Sequence, residues 1–141
     1  MFGTIVVGVD GSGHADRAVE TAAKIAAGTK DKVVVFHGMV VHHARATAYT
    51  DETLDETQQL VDRYVAQLAA AGVAATGEMH RELETGIGGA LIDVAKSHNA
   101  GLIVVGTRGR SNVASMLLGS VAHEVVHKST LPVLVVPEKT G

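Results

Sequence analysis

The sequence predicts an α/β fold in which a parallel sheet is wrapped by helices, and three observations predict it. Continuous β-branched runs recur along the chain, as expected of strands covered on both faces. Stretches with a helical apolar period separate them. The two kinds of segment alternate strictly, β-α-β-α-β-α-β-α-β, which is the pattern of a parallel sheet with crossover helices. The chain has 141 residues, with no internal repeat, low-complexity tract or interior linker. One domain over residues 1–141 is therefore expected, long enough to hide roughly two-thirds of its surface without disulfides or metal.

The elements follow in order. Thr4 to Val9 is the first β-branched run, and Ala15 to Ala27 is an Ala-rich helix with Val19, Ala22, Ala23 and Ala26 on one stripe. Lys32 to Val41 is the second strand. Asp51 to Ala71 is a long amphipathic helix carrying Leu54, Leu60, Val61, Tyr64, Val65 and Leu68, with Thr50 and Asp51 as cap candidates. Val73 to Met79 is a strand assigned by its position rather than its pattern. Ile87 to His98 is a helix with Leu91, Val94 and Ala95, and Leu102 to Val105 is the fourth strand. Leu117 to Lys128 is a helix whose stripe is Leu118, Val121, Ala122 and Val125, and Leu131 to Val136, with Pro132 near its start and Pro137 at its end, closes the sheet. Val40 to Thr50, containing His42, His43, Arg45 and Tyr49, has no clear period and is long for a βα connection, so it reads as a lid or as a solvated loop.

Composition removes several functions. Twelve basic against fifteen acidic side chains give a net charge of −3, which offers no bulk attraction to a phosphate backbone. Two Phe, two Tyr and no Trp leave little for stacking on single strands, so no nucleic-acid partner is expected. The absence of Cys excludes disulfide frameworks, thiolate metal sites and Cys nucleophiles. The start of the chain has no basic region before Asp10, and the longest apolar stretch, around Val33 to Val41, is interrupted by His37 and too short to span a bilayer. A soluble, cytoplasmic protein without a membrane partner is expected.

In an open parallel sheet, ligands bind at the C-terminal ends of the strands where the strand order reverses. Two strand ends carry suitable chemistry. One reads Val9-Asp10-Gly11-Ser12-Gly13. The other reads Val105-Gly106-Thr107-Arg108-Gly109-Arg110-Ser111 and continues to Gly119-Ser120. Glycines let backbone N–H groups approach an anion, Ser120 adds a hydroxyl at a helix N-terminus, and Arg108 and Arg110 add cationic donors. These residues read either as a phosphate cradle or as two ordinary Gly-rich turns. No Walker lysine follows the glycines, and Asp16 stands where a dinucleotide fingerprint needs its third glycine.

Gly106, two residues, Gly109, nine residues, then Gly119-Ser120 forms a G-x2-G-x9-G-S spacing, and here the chain resembles the universal stress protein family. The resemblance extends from Ile5-Val6-Val7-Gly8-Val9-Asp10-Gly11-Ser12, through Phe36-His37, to Leu117-Leu118-Gly119-Ser120-Val121 and Pro132-Val133-Leu134-Val135-Val136-Pro137. It implies an open, Rossmann-like five-stranded parallel sheet in the order 3-2-1-4-5 with helices on both faces. It also implies ATP as ligand, with Mg2+ beside the phosphates. By this resemblance Asp10 and the backbone near Gly106 hold the ribose, and Gly109, Gly119, Ser120 and Val121 cradle the phosphates. Gly38 meets the adenine through its backbone, although an apolar side chain is expected at that position. Arg108 and Arg110 fit as phosphate partners. The function implied is a stress-response or regulatory protein with little or no hydrolysis, since the chain has no Walker lysine and no evident water-activating base. The alternative is an interaction module of the same fold that binds another ligand, such as cyclic AMP, or none. The strand at 131–136 falls at a sheet edge in the family order and would pair with its symmetry mate in a homodimer.

A third reading comes from His123-Glu124-Val125-Val126-His127, a literal H-E-x-x-H on an expected helix and so the signature of a zinc hydrolase. Against it, Glu138 is the only carboxylate among the 14 residues that follow, and the stripe Leu118, Val121, Ala122 and Val125 turns both histidines toward solvent. His37 reads as a packed or hydrogen-bonded strand-end residue, and His14 as part of the first helical turn.

Overall fold

The computed structural model describes residues 1–10, 13–44, 46–107 and 118–137. Strand β1 (Thr4–Val9) leads into helix α1 (Gly13–Thr29), followed by β2 (Lys32–Ala44) and the short β3 (Thr47–Thr50). Helix α2 (Leu54–Ala70), β4 (Ala75–Glu82), a 3-10 turn at Glu84–Gly86, α3 (Ile87–Ser97), β5 (Leu102–Gly106), α4 (Ser120–Lys128) and β6 (Val133–Val136) complete the chain. Five strands run parallel in the order β4-β2-β1-β5-β6, so the order reverses between β1 and β5. The right neighbour relations were legible, but the sheet has six strands rather than five, because β3 pairs antiparallel with the end of β2.

That sixth strand corrects the reading of 40–50 as an aperiodic connection. Beyond Val40, where its pairing with β4 ends, β2 continues and folds back on itself, with Val41 to Ala44 paired to Thr50 to Thr47. Ala46 sits at φ 67° in the turn. The hairpin is rich in β-branched and aromatic residues but is exposed or half-buried throughout, so no single buried face imposes a period of two. The hairpin also delays α2. Its N-cap is Thr53, whose hydroxyl accepts the Glu56 N–H at 3.1 Å, rather than Thr50 or Asp51.

Alternate residues of β1 face opposite layers, as a doubly covered strand requires. Ile5, Val7 and Val9 pack with Val33, Val35 and Val104 under α1 and α2, where Ala15, Ala18, Val19, Ala22 and Ala26 form the contact stripe of α1. Val6, Val34, Phe36, Ile103 and Val105 pack under α3 and α4. The start of β1 is tied to the α1–β2 turn by Asp31, whose carboxylate accepts the Phe2 N–H at 3.0 Å, the Gly3 N–H at 2.8 Å, the Met1 ammonium at 3.1 Å and the Thr29 hydroxyl at 2.5 Å. Burial pushes that carboxyl up, but the donors outweigh it and hold it well below the usual carboxylate range. Asp16 of α1 accepts the Tyr64 hydroxyl of α2 at 2.5 Å. Burial first, and then that acidic partner, push the Tyr64 phenol well above its ordinary value. No helix among the described residues is long and apolar enough to cross a membrane.

Candidate functional site

The site is built at the reversal of strand order. Parallel registry sets Val9 of β1 level with His37 of β2, and the β1–β5 register, Val7 opposite Val104, brings the Asp10 and Gly106 ends side by side. A cleft of about 280 Å³ opens there. Its floor is Gly8, Val9 and Asp10 from β1 and its end, Phe36, His37 and Gly38 from β2, and Val105, Gly106 and Thr107 from β5 and its end. One wall is the start of α4, Gly119 to Ala122. The rest of the lining is Val40, His42, Asp51 and Glu52 from the hairpin and its exit, with Glu84, Ile87 and Leu91 from the α3 side, where Glu84 neighbours Ser120 and Val121.

The α4 wall owes its position to one backbone bond. Gly119 donates its N–H to the Thr107 carbonyl, which draws the start of the helix back onto the end of β5. The helix then begins with the His123 N–H bonded to the Gly119 carbonyl at 2.9 Å. Ser120 and Val121 occupy the first turn, where backbone N–H groups have no intrahelical acceptor and the helix dipole is positive. Such an end favours an anion.

Six of the eight residues expected at the site, Asp10, Gly38, Gly106, Gly119, Ser120 and Val121, therefore line one cleft. Arg108 and Gly109 lie outside the described residues, as does Arg110. Gly38 has a clear packing role. A Cβ built on it would stand 2.3 Å from Ile87 Cδ1, so the apolar group at this point of the cleft comes from α3 instead of β2. Gly106 is similarly close to α1, with a Cβ there 3.1 Å from the His14 carbonyl oxygen.

His37 is the buried, hydrogen-bonded strand-end residue that the sequence suggested, but the sequence did not reveal its partners. Its Nδ1 donates to the Val9 carbonyl at 2.7 Å, while its Nε2 lies 2.7 Å from Glu52 Oε1, with both side chains largely buried. A carbonyl only accepts, so Nδ1 carries a proton, and the Nε2–Glu52 bond needs another proton on the ring or on the carboxyl. The pair joins the floor of the cleft to the exit of the hairpin. Glu52 is fifteen residues from His37, and no local spacing announces the contact. Above it, His42 Nε2 bonds Asp51 at 2.9 Å and the His42 ring stacks on Tyr49 at 5.3 Å.

The H-E-x-x-H residues stand apart from the cleft chemistry. His123 and His127 are exposed, with ring centroids 4.3 Å apart. Glu124 turns away from them toward the first turn of α3, where its carboxyl group would touch a Cβ built on Gly88 at 2.9 Å. Among the described residues, no group of three or more His, Asp or Glu side chains is arranged to hold a metal ion.

A doubly wound α/β domain with a crevice at its switch point defines the class. Within that class, residues 1–137 match the model of the universal stress protein family, and the chain belongs to that family. It is 32% identical over 142 residues to universal stress protein Rv1636 of Mycobacterium tuberculosis, with 96% of each chain covered. Among solved structures, it is similar to a universal stress protein in complex with cAMP, at 28% identity and a TM-score of 0.73, covering 96% of this chain and 97% of that one. It is also similar to the Archaeoglobus fulgidus universal stress protein in complex with dAMP, at 26% identity and a TM-score of 0.72, covering 94% and 95%.

Proposed function

We propose that the cleft binds an adenine nucleotide, ATP with Mg2+, and that the protein acts in stress response as a regulatory binder that holds the nucleotide with little or no hydrolysis. The observation that carries this reading is the convergence of Asp10, Gly106 and the α4 first turn, Gly119-Ser120-Val121, on one cleft at the switch point. Polarity orients the ligand. The phosphates belong against the N–H groups and hydroxyl of the α4 start. The carboxylates Asp51 and Glu52 at the hairpin exit repel them and leave that end for the uncharged base, whereas Glu84 neighbours Ser120 and Val121 at the α4 start. Asp10 takes the ribose with the backbone near Gly106, and Gly38 offers its backbone to the adenine. Gly109, Arg108 and Arg110 complete the phosphate loop.

Mg2+ bound with phosphates uses few protein oxygens and keeps several waters. Asp10 and Ser120 are oxygen donors suited to that, and the ion would neutralise phosphate charge. The relatives solved with cAMP and dAMP support an adenine ligand and favour a second reading, in which cyclic AMP or another monophosphate is the native occupant. We also assign the β6 edge, Val133–Val136, as the surface that pairs two copies in a homodimer, and a cytoplasmic location.

Calorimetric titration of nucleotide-stripped protein with MgATP, followed by competition with cAMP, tests the proposal. One ATP per chain, abolished by Gly119→Asp, is the expected result. Unchanged affinity in that variant refutes the site, and tighter binding of cAMP transfers the assignment to the second reading. Sedimentation equilibrium showing only monomer at micromolar concentration would remove the dimer.

A further inference from the structure

The exposed face of α4 carries a feature that nucleotide binding does not use. His123 and His127 lie one turn apart on the side opposite the buried Ala122 and Val125. Most other described histidines are committed. His37 bonds Glu52, His42 bonds Asp51, and His80 and His98 both bond Glu78, His80 at 3.1 Å. These bonds, that from His98 first, outweigh burial and lower the Glu78 carboxyl below its usual value. No hydrogen bond or ion pair among the described residues engages the ring of His123 or His127. Their nitrogens are available to an external ligand.

The separation of the rings is close to what one class of ligand requires. Imidazole nitrogen binds zinc at about 2.0–2.1 Å, which puts each ring centroid about 3.2 Å from the ion, and ligand angles of about 90–109° then set the centroids about 4.5–5.2 Å apart. The observed 4.3 Å is a few tenths of an ångström from that range, a gap closed by small rotations of two solvent-facing side chains. We propose that His123 and His127 form a bidentate surface site for a borderline divalent metal ion of the Zn2+, Ni2+, Cu2+ type. Affinity should rise from Zn2+ to Cu2+, as for other nitrogen sites. The remaining coordination positions are open to water or to a side chain of another molecule. The site is not hydrolytic, because Glu124 is turned toward Gly88 and no third described side chain joins. A bound ion would staple the last two turns of the helix whose first turn forms the cleft wall, so it stabilises the folded chain by mass action.

The test is calorimetric titration of the full chain, without a polyhistidine tag and freed of nucleotide, with NiCl2 and ZnCl2. One ion per chain is expected in the parent, with affinity weakened at least about tenfold in His123→Ala and in His127→Ala, since each removes one of two donors. His42→Ala should leave the affinity unchanged. Saturating Zn2+ should raise Tm in the parent and not in His123→Ala/His127→Ala. Both histidines are exposed, so circular dichroism of the variants should match the parent. Binding of equal strength in the double variant, or no binding in the parent up to millimolar metal, overturns the proposal.

Discussion

Glu52→Ala is the most informative perturbation of the cleft, because it cuts the bond between the floor and the hairpin exit without touching the phosphate side. The pair is close and largely buried. The Nε2–Oε1 distance is 2.7 Å, and the His37 and Glu52 side chains are 3% and 13% exposed. Removing one partner of a buried neutral hydrogen bond costs about 1–3 kcal/mol, and of a buried ion pair about 3–5 kcal/mol. Glu52 retains some solvent contact, so the expected cost is about 2–3 kcal/mol, a fall in Tm of about 6–10 °C for a chain of this length. Glu52→Gln should cost less than about 1 kcal/mol, because the amide N–H can donate to an unprotonated Nε2 while Nδ1 keeps its bond to Val9. The two truncations should not add. His37→Ala in the Glu52→Ala background removes a side chain whose partner is already gone, and coupling of about 1.5–3 kcal/mol is expected. Urea unfolding followed by circular dichroism gives all four free energies, provided the slope m is shared. Additive costs, or Glu52→Gln as damaging as Glu52→Ala, would refute the pairing.

Other packing contacts lend themselves to the same assay. Gly38→Ala should cost about 1–3 kcal/mol by overpacking, and Ile87→Val, which removes the Cδ1 atom that stands 2.3 Å from the new Cβ, should recover most of it. Gly101→Ala has no such remedy: its Cβ would meet the Phe2 carbonyl oxygen at 2.6 Å, a backbone atom that cannot swing aside, so a loss of about 2–3 kcal/mol should appear as a lower urea midpoint. Asp31→Asn should destabilise at pH 7. Because the folded Asp31 carboxyl lies well below its ordinary 3.8, its contribution is complete above that value, begins to decline as pH drops below it, and is lost only as pH passes the lower folded value. The stability gap between parent and variant, measured by urea titration from pH 7 to pH 3, should therefore narrow on the acid side, and a constant gap would contradict the assignment.

How much was legible depended on whether a residue's partner was local. Ile5-Val6-Val7 and Leu102 to Val105 read as strands because both faces are covered, which leaves continuous apolar runs. The stripe of α1 read correctly for the same reason, with one periodic face against the sheet. The β2–β3 hairpin did not, since neither of its faces is fully buried and burial therefore writes no pattern into it. The glycines and Ser120 of the cleft were found by spacing along the chain. The His37–Glu52 bond and the Gly38–Ile87 exchange were not, because each joins elements that meet only in the folded state. Gly38 looked like a departure because the apolar group belonging to that point is delivered by Ile87 from α3, which packs directly on it.

The charge of the cleft constrains what it can hold. Its described lining has four carboxylates, Asp10, Asp51, Glu52 and Glu84, and no Lys or Arg, while Arg108 and Arg110 lie outside the described residues. A phosphate charge about 6 Å from one carboxylate costs about 3 kcal/mol at an effective dielectric of about 20, before any compensation. The α4 N-terminus offsets about 0.3–1 kcal/mol of that for a single charge and up to about 2 kcal/mol in a sheltered geometry. One phosphate can thus be balanced largely by the helix end and its N–H groups, but the added charges of a triphosphate cannot. Removal of Mg2+ with EDTA should consequently weaken ATP binding by about tenfold or more, since 1.4 kcal/mol is a factor of ten. The affinity for cAMP, with a single phosphate charge, should change by less than about threefold on the same scale. Equal sensitivity of the two ligands would mean that the loop arginines, not the ion, neutralise the phosphates, and would move the electrostatic centre of the site from the Asp10 side to residues 108–110.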